Sequence, residues 1–176
     1  MTRNSHITKY LQMNLSKTLL LIILAFILSI LDASFFSFLP VFGATIITSY
    51  VTIINFSITE KTNDFLVFTL SVIFFFSAFS SLPVWLIVGV FFILPSLIFF
   101  IKKTYFPEPS VFSSFAFFVL GTLLFGIISL IFTKGWTMQG IVSVLYFIIL
   151  NSAFGVGIYY FSRSIRRKFT RKDIKF

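Results

Sequence analysis

Long apolar segments constrain this chain more than any other feature of its sequence. The first reads LLLIILAFILSILDASFFSFLP, residues 19–40, and further apolar runs recur up to a basic C-terminal tail. A helix that crosses a bilayer needs about 20 mostly apolar residues. The 176 residues therefore have room for six such helices joined by short loops. The sequence predicts an all-α integral membrane protein without a separate water-soluble domain.

Prolines, glycines and short polar stretches divide the chain into six predicted helices, at about residues 18–39, 43–58, 65–80, 84–101, 111–133 and 141–161. The second is the weakest, because hydroxyl and amide residues recur along it at helical spacing, which predicts a polar face turned into the bundle. These residues are Thr45, Thr48, Ser49, Thr52 and Asn55. In the fourth helix, Pro95 predicts a kink, which membrane helices tolerate when neighbouring groups satisfy the freed carbonyl.

The distribution of positive charge gives the topology. Lys and Arg gather on the cytoplasmic segments of membrane proteins. With six helices and the N-terminus inside, all fourteen Lys and Arg residues except Lys134 fall on inner segments. A five-helix chain would instead place the N-terminal cluster opposite the basic tail. We therefore predict a cytoplasmic N-terminal segment at 1–17, a membrane domain at 18–162 and a basic cytoplasmic tail at 163–176, so the net charge of +9 reflects membrane orientation, not nucleic-acid binding.

The apolar runs carry almost none of the residues that intramembrane chemistry requires. The chain has no cysteine and a single histidine, His6, in its polar N-terminal segment. No metalloprotease, serine-hydrolase or phosphate-loop motif is present at mechanistic spacing. The sequence therefore predicts a protein that is not an enzyme and binds no metal or cofactor.

Asp32 is the only acidic residue within an apolar run. At 1.5 Å per residue it lies about 10 Å inward from the predicted helix end at Leu39. An aspartate at a helix centre costs about 2.5–3.5 kcal/mol on insertion scales. Two arrangements reduce this cost: the carboxylate reaches the outer interface near Ser34 and Ser37, or it faces the bundle and accepts hydrogen bonds from hydroxyls and Trp85.

Small residues follow faces of three predicted helices. Such residues let helix backbones approach closely and exchange weak hydrogen bonds. Packing within the bundle and contact with a partner helix both remain open for each face. The candidates are Ala25, Ser29 and Ala33 on the first helix, Ser114, Gly121, Gly126 and Ser129 on the fifth, and Ser143, Asn151, Gly155 and Ser162 on the sixth.

The tail FSRSIRRKFTRKDIKF places Phe161, Ile165 and Phe169 four residues apart among basic residues. A basic amphipathic helix at the inner leaflet gains about 1 kcal/mol per basic residue from anionic lipid. The tail is thus an orientation anchor or a docking surface for a partner. Its candidate contact residues are Arg163, Arg166, Arg167, Lys168, Arg171 and Lys172.

Four stretches together resemble the MreD family of bacterial rod shape-determining membrane proteins. They are SILDASFFSFLP, FSAFSSLPVWLIVGVFF, FPEPSVFSSFAFFVLGTLLFGIISLIF and LYFIILNSAFGVGIYYFSRSIRR, which cover most of the chain. The family usually has an acidic residue and a glycine around its Ser-Ser-x-Pro turn, where this chain has Ser77 and Trp85. The resemblance also places a polar residue near the position of Asp32, which favours the bundle-facing arrangement.

The resemblance implies a non-catalytic scaffold in the bacterial cell (inner) membrane, with both termini cytoplasmic. Its expected partners are an MreC-like membrane protein and the cell-wall transpeptidase and glycosyltransferase complex. The family also resembles, in its six-helix architecture, the substrate-binding subunits of energy-coupling-factor vitamin transporters. Such a subunit is the alternative function, and the spacing of Ala25, Ser29 and Ala33 would suit docking to a transporter partner.

Overall fold

The computed structural model describes residues 3–35, 44–60, 62–80, 82–106, 110–133 and 136–172. These residues form six helices and no strand. Helix α1 (Arg3–Ile30) continues into a π-helical turn (Leu31–Phe35), and α2 (Thr48–Thr59) is followed closely by α3 (Thr62–Phe79). Helix α4 runs from Val84 to Tyr105 with a π-helical turn at Gly89–Ile93, and α5 (Val111–Thr133) and α6 (Met138–Lys172) complete the bundle.

Five of these helices are long and apolar enough to cross a membrane. Their candidate spans are Leu15–Ser34, Thr62–Phe79, Val84–Tyr105, Val111–Phe132 and Met138–Ser164. The prediction of an all-α multi-pass membrane protein is confirmed at this level. Helix α2 differs, because its 12 residues extend only about 18 Å, against about 30 Å for the hydrocarbon core. The segment expected at 43–58 is therefore a helix too short to form a span of its own.

Side-chain contacts show that α1 and α3 run parallel. Near their N-terminal ends, the Lys17 ammonium lies 2.5 Å from the Asp64 carboxylate. Further along both helices, the rings of Phe26 and Phe75 meet edge to face with centroids 5.1 Å apart. Because α3 starts directly after α2, the C-terminal end of α2 lies at the same end of the bundle as Lys17.

Helices α5 and α6 form an antiparallel pair, with Thr122 opposite Ser152 and Phe125 against Phe147. Helix α2 runs parallel to α6, because Ile47 just before α2 contacts Asn151 and Asn55 near the end of α2 contacts Ser162 further along α6. The start of α1 and the end of α6 therefore lie at the same end of the bundle. We name this the proximal end, marked by Lys17, Asp64 and Ser162, and the opposite end, marked by Leu82 and Met138, the distal end.

Helix α2 is the centre of the fold. It contacts all five other helices, and all of its residues except Phe56 and Thr59 are buried. The five long helices instead keep apolar side chains on their outer surfaces, such as Leu20, Phe74 and Phe112. A helix that is surrounded by protein can carry hydroxyl and amide groups, whereas a helix facing lipid cannot do so cheaply. This explains why the second apolar segment is the most polar of the six.

The π-helical turn in α4 follows from Pro95. Proline has no backbone N–H, and its ring clashes with the carbonyl four residues earlier, here that of Phe91. The wider turn at Gly89–Ile93 includes Phe91. Such turns are a common way for a helix to accommodate an interrupted hydrogen-bond ladder. The structure thus shows a change in helical winding next to Pro95, and the kink itself stays a prediction.

Candidate functional site

Asp32 lies in the π-helical turn at the end of α1 and faces the inside of the bundle. Its residue surface is 6% exposed. It follows Leu21, Ala25 and Ser29, which are buried, at intervals of three and four residues that keep them on one helix face. This face of α1 packs against the bundle, so the carboxylate is directed toward α2 and away from lipid.

The Asp32 carboxylate caps the N-terminus of α2. Oδ1 accepts hydrogen bonds from the backbone N–H of Thr48 at 2.7 Å and from its hydroxyl at 2.6 Å. Oδ2 accepts from the backbone N–H of Ser49 at 2.8 Å and also from the Ser49 hydroxyl. The first N–H groups of a helix have no partner within it, and a negative charge there interacts favourably with the helix dipole. Residue 47, at the N-cap position, is isoleucine and supplies no side-chain cap, so the cap comes from a different helix.

Asn151 of α6 supports the irregular backbone just before α2. Its Oδ1 accepts a hydrogen bond from the N–H of Ile47 at 2.9 Å. Its Nδ2 donates to the carbonyl of Thr45 at 3.0 Å and to that of Phe147, in its own helix, at 2.9 Å. The side chain is fully buried. One amide thus satisfies one backbone donor and one backbone acceptor of this stretch, and the Ile47 carbonyl accepts a helical hydrogen bond from the N–H of Val51.

We call Asp32, Asn151, Thr48 and Ser49, with the backbone of residues 45–47, the capping cluster. Asn151 lies thirteen residues into α6, about 20 Å from the start of that helix, so α2 begins deep inside the bundle. A backbone group that is buried without a partner costs about 1–3 kcal/mol. The capping cluster makes it possible for a helix to start there.

Three of the candidate glycines allow close contacts between helices. A Cβ atom built on Gly155 would lie 2.5 Å from the ring of Phe118, and one on Gly126 would lie 2.6 Å from a methyl group of Val144. Gly121 would meet Ile54 at 2.6 Å, and its carbonyl accepts a hydrogen bond from the buried hydroxyl of a tyrosine in α2. These glycines therefore pack within the bundle, α5 against α6 and α5 against α2.

The remaining candidates occupy different environments. Ala25 and Ser29 are fully buried, whereas Ala33 is half-buried. Trp85 lies at the surface of the distal end, with its ring edge to face on Phe132 at 5.1 Å. The described hydroxyl donors to Asp32 are Thr48 and Ser49 of α2. The Ser34 hydroxyl bonds to the carbonyl of Ile30, and residue 37 lies outside the described residues.

The basic tail continues α6 without a break, because the helix extends to Lys172. Arg163 is half-buried, whereas the side chains from residue 165 onward lie outside the described part of the structure. The backbone of five candidate contact residues is therefore helical: Arg166, Arg167, Lys168, Arg171 and Lys172.

A cavity of about 410 Å³ opens between α5, α6 and the stretch that precedes α2. Thr45 and Ile47 contribute one wall, and Ser129 and Ser143 lie on the two facing helices. Its position at the distal end places it beside the capping cluster. Sequence reasoning did not find this cavity, because its walls come from segments separated by some eighty residues.

The described residues contain no group of three or more His, Cys, Asp or Glu side chains that could hold a metal ion. Comparison of the chain with protein-family models, with curated proteins and with solved structures found no match.

Proposed function

We propose that this protein is a non-catalytic scaffold of the bacterial cell-wall elongation machinery, similar to MreD. In this proposal it lies in the inner membrane with the proximal end toward the cytoplasm. It holds an MreC-like membrane protein and the transpeptidase and glycosyltransferase complex through the outer faces of its helices. The proposal rests on the sequence resemblance together with the way the bundle uses its polar side chains.

The main support for the proposal is that the polar side chains inside the bundle stabilise the fold. Asp32 and Asn151 bond to the backbone at the start of α2, and the glycines of α5 and α6 bring helices together. An intramembrane enzyme directs such groups toward a reacting centre. Here they hold a central helix in place and leave broad apolar outer faces, which is the arrangement expected of a protein that acts by binding other membrane helices.

The buried positions narrow the surfaces on which partners can bind. Ala25 and Ser29 are inaccessible inside the bundle, so neither can contact another protein directly. Partner helices must instead meet outward side chains, such as Leu20 and Ile27 on α1 or Phe112 on α5. The basic continuation of α6 adds a contact for anionic lipid or for a partner at the proximal end.

Co-purification tests the scaffold proposal. Tagged protein from its host should retain an MreC-like protein, and depletion should disturb cell shape or wall growth. Outward substitutions, such as Leu20→Ala and Phe112→Ala, should identify the contact face without altering thermal stability. Retention of no cell-wall protein, together with normal shape after depletion, would contradict the proposal.

Cysteine labelling tests the proposed orientation, since the chain has no native cysteine. Cysteines at Ser5 and Ser164, near the proximal end, should be shielded from an impermeant external thiol reagent in intact cells. A cysteine at Thr137, at the distal end, should be labelled. Labelling of the first two and shielding of the third would reverse the orientation.

The cavity favours a second candidate, the substrate-binding subunit of an energy-coupling-factor vitamin transporter. Ligand sites are typically concave spaces of about 300–1,000 Å³ with few polar groups, and this one is about 410 Å³. Loss of uptake of one vitamin after depletion, with cell shape unchanged, would favour this candidate over the scaffold.

A further inference from the structure

We propose that the cavity at the distal end binds a small, uncharged molecule that contains an aromatic or similar flat ring. The proposal holds whether the protein acts as a scaffold or as a transporter subunit, because it concerns the chemistry of the cavity walls. It rests on the volume and composition of the cavity and on the hydrogen bonds that fix one wall.

The composition of the walls selects the ligand class. The rings of Phe125 and Phe147, both in the wall, stack with centroids 5.1 Å apart and an angle of 28° between their planes. Thr45, Ser129 and Ser143 place hydroxyl groups in the wall, and a hydroxyl that already donates to one group can still accept a hydrogen bond from another. None of the described wall residues is charged. An ionised ligand would therefore lose hydration without a compensating charge. A neutral ring with a polar substituent can pack on the phenylalanine rings and form hydrogen bonds with the hydroxyl groups.

The wall formed by residues 44–47 is held in place from outside the cavity. Asn151 is not a wall residue, yet it bonds to the carbonyl of Thr45 and to the N–H of Ile47. Both of these residues line the cavity. Asn151 is thus a positioning residue for the ligand site, and the same amide supports the start of α2. Ligand binding and the order of this stretch should consequently be linked, because a ligand that contacts Thr45 favours the conformation that Asn151 holds.

Protection of an introduced cysteine tests the site in the purified full-length protein. Ser143→Cys places a thiol in the cavity wall. Met138→Cys, at a position that is 80% exposed and outside the cavity, is the matched control. The rate of modification by N-ethylmaleimide is measured with 1-naphthalenemethanol, with 1-naphthoate, which has the same ring and a negative charge, and with the linear alcohol 1-decanol.

We expect 1-naphthalenemethanol to slow modification of the cavity cysteine at least fivefold and to leave the control cysteine unchanged. Naphthoate and decanol should change either rate less than twofold. Ser129→Phe should remove the protection by filling the cavity, whereas Ile131→Phe, on an outward position of the same helix, should preserve it. Asn151→Leu should weaken protection although residue 151 does not touch the ligand, and Asn151→Gln should restore part of it.

Four results would overturn the proposal. One is no protection of the cavity cysteine at millimolar alcohol, and another is equal protection of both cysteines, which indicates partition into the detergent. Protection by naphthoate as strong as by the alcohol would exclude an uncharged ligand class. Stronger protection by decanol would assign the cavity to an acyl chain.

If Ser129→Phe does not fold, as judged by its melting curve, the comparison of the alcohol with naphthoate in the Ser143→Cys protein still tests the proposal. Loss of partner co-purification would leave all these outcomes unaffected, so the two proposals fail separately.

Discussion

Two aspartates in this protein interact with the start of a helix, but in different environments. Asp64 belongs to the first turn of α3 and pairs with Lys17 at the proximal end, where the side chains are 18% and 53% exposed. Asp32 belongs to the π-helical turn that follows α1, is buried, and caps α2 from outside. Both positions favour a negative charge through the helix dipole. Only the buried carboxylate must also replace all the hydrogen bonds that water would otherwise supply.

The comparison shows that the contribution of a charged side chain to stability depends on its exposure to water. An exposed ion pair contributes about 0–1 kcal/mol, because water solvates both partners when they separate. A buried carboxylate that is bonded to several donors has no such alternative, and its removal leaves those donors unsatisfied. The capping cluster should therefore control the stability of the bundle, whereas the Lys17–Asp64 pair should adjust it slightly.

Replacing Asp32 should have the largest effect. Asp32→Leu removes the acceptor for two backbone N–H groups and two hydroxyls at the start of α2, and we expect a loss of about 3–5 kcal/mol. Asp32→Asn keeps one acceptor oxygen and should lose about half as much. Thermal unfolding of the purified protein measures both. If Asp32→Leu inserts normally, raises the melting temperature and preserves partner binding, the carboxylate is incidental to the fold.

Asn151→Leu should have the next largest effect, at about 2–4 kcal/mol, because the Ile47 N–H and the Thr45 carbonyl lose their partner. Its effect should not add to that of Asp32→Asn, since both side chains fix the same short stretch of backbone. A double-mutant cycle checks this coupling by thermal unfolding. Strict additivity would show that the capping cluster is two independent contacts.

Gly155→Ala should cost about 1–3 kcal/mol, because the new methyl group overlaps the ring of Phe118 and forces repacking between α5 and α6. Gly157, in the same helix, has open space at its Cβ position. Gly157→Ala is therefore the matched control, and it should be neutral or slightly stabilising. Melting temperatures that shift equally in the two variants would exclude close packing as the reason for the glycine at 155.

The sequence predicts much of this fold, but not its most specific feature. Hydropathy and prolines place five long helices, and the predicted bounds of α5 agree with the structure. The polar spacing in the second segment predicts one face turned into the bundle, and in the structure nearly the whole helix is buried. The length and the cap of this helix depend on which part of the chain packs next to the end of α1. The start of α2 packs there, so Thr48 and Ser49 donate to Asp32 instead of Trp85. Periodicity within a single helix cannot reveal such a contact.

Asp64→Asn should have the smallest effect, at about 0–1 kcal/mol. The asparagine keeps an acceptor for Lys17, and water at the proximal end can solvate the ammonium group when the pair separates. The contribution of the native pair should fall as the salt concentration rises, because exposed charges are screened. Melting curves of the native protein and the variant at low and high salt measure it, with Lys17→Met as the reciprocal control. A loss above 2 kcal/mol that persists at high salt would mean that Asp64 is as shielded from water as Asp32, and the contrast between the two carboxylates would then fail.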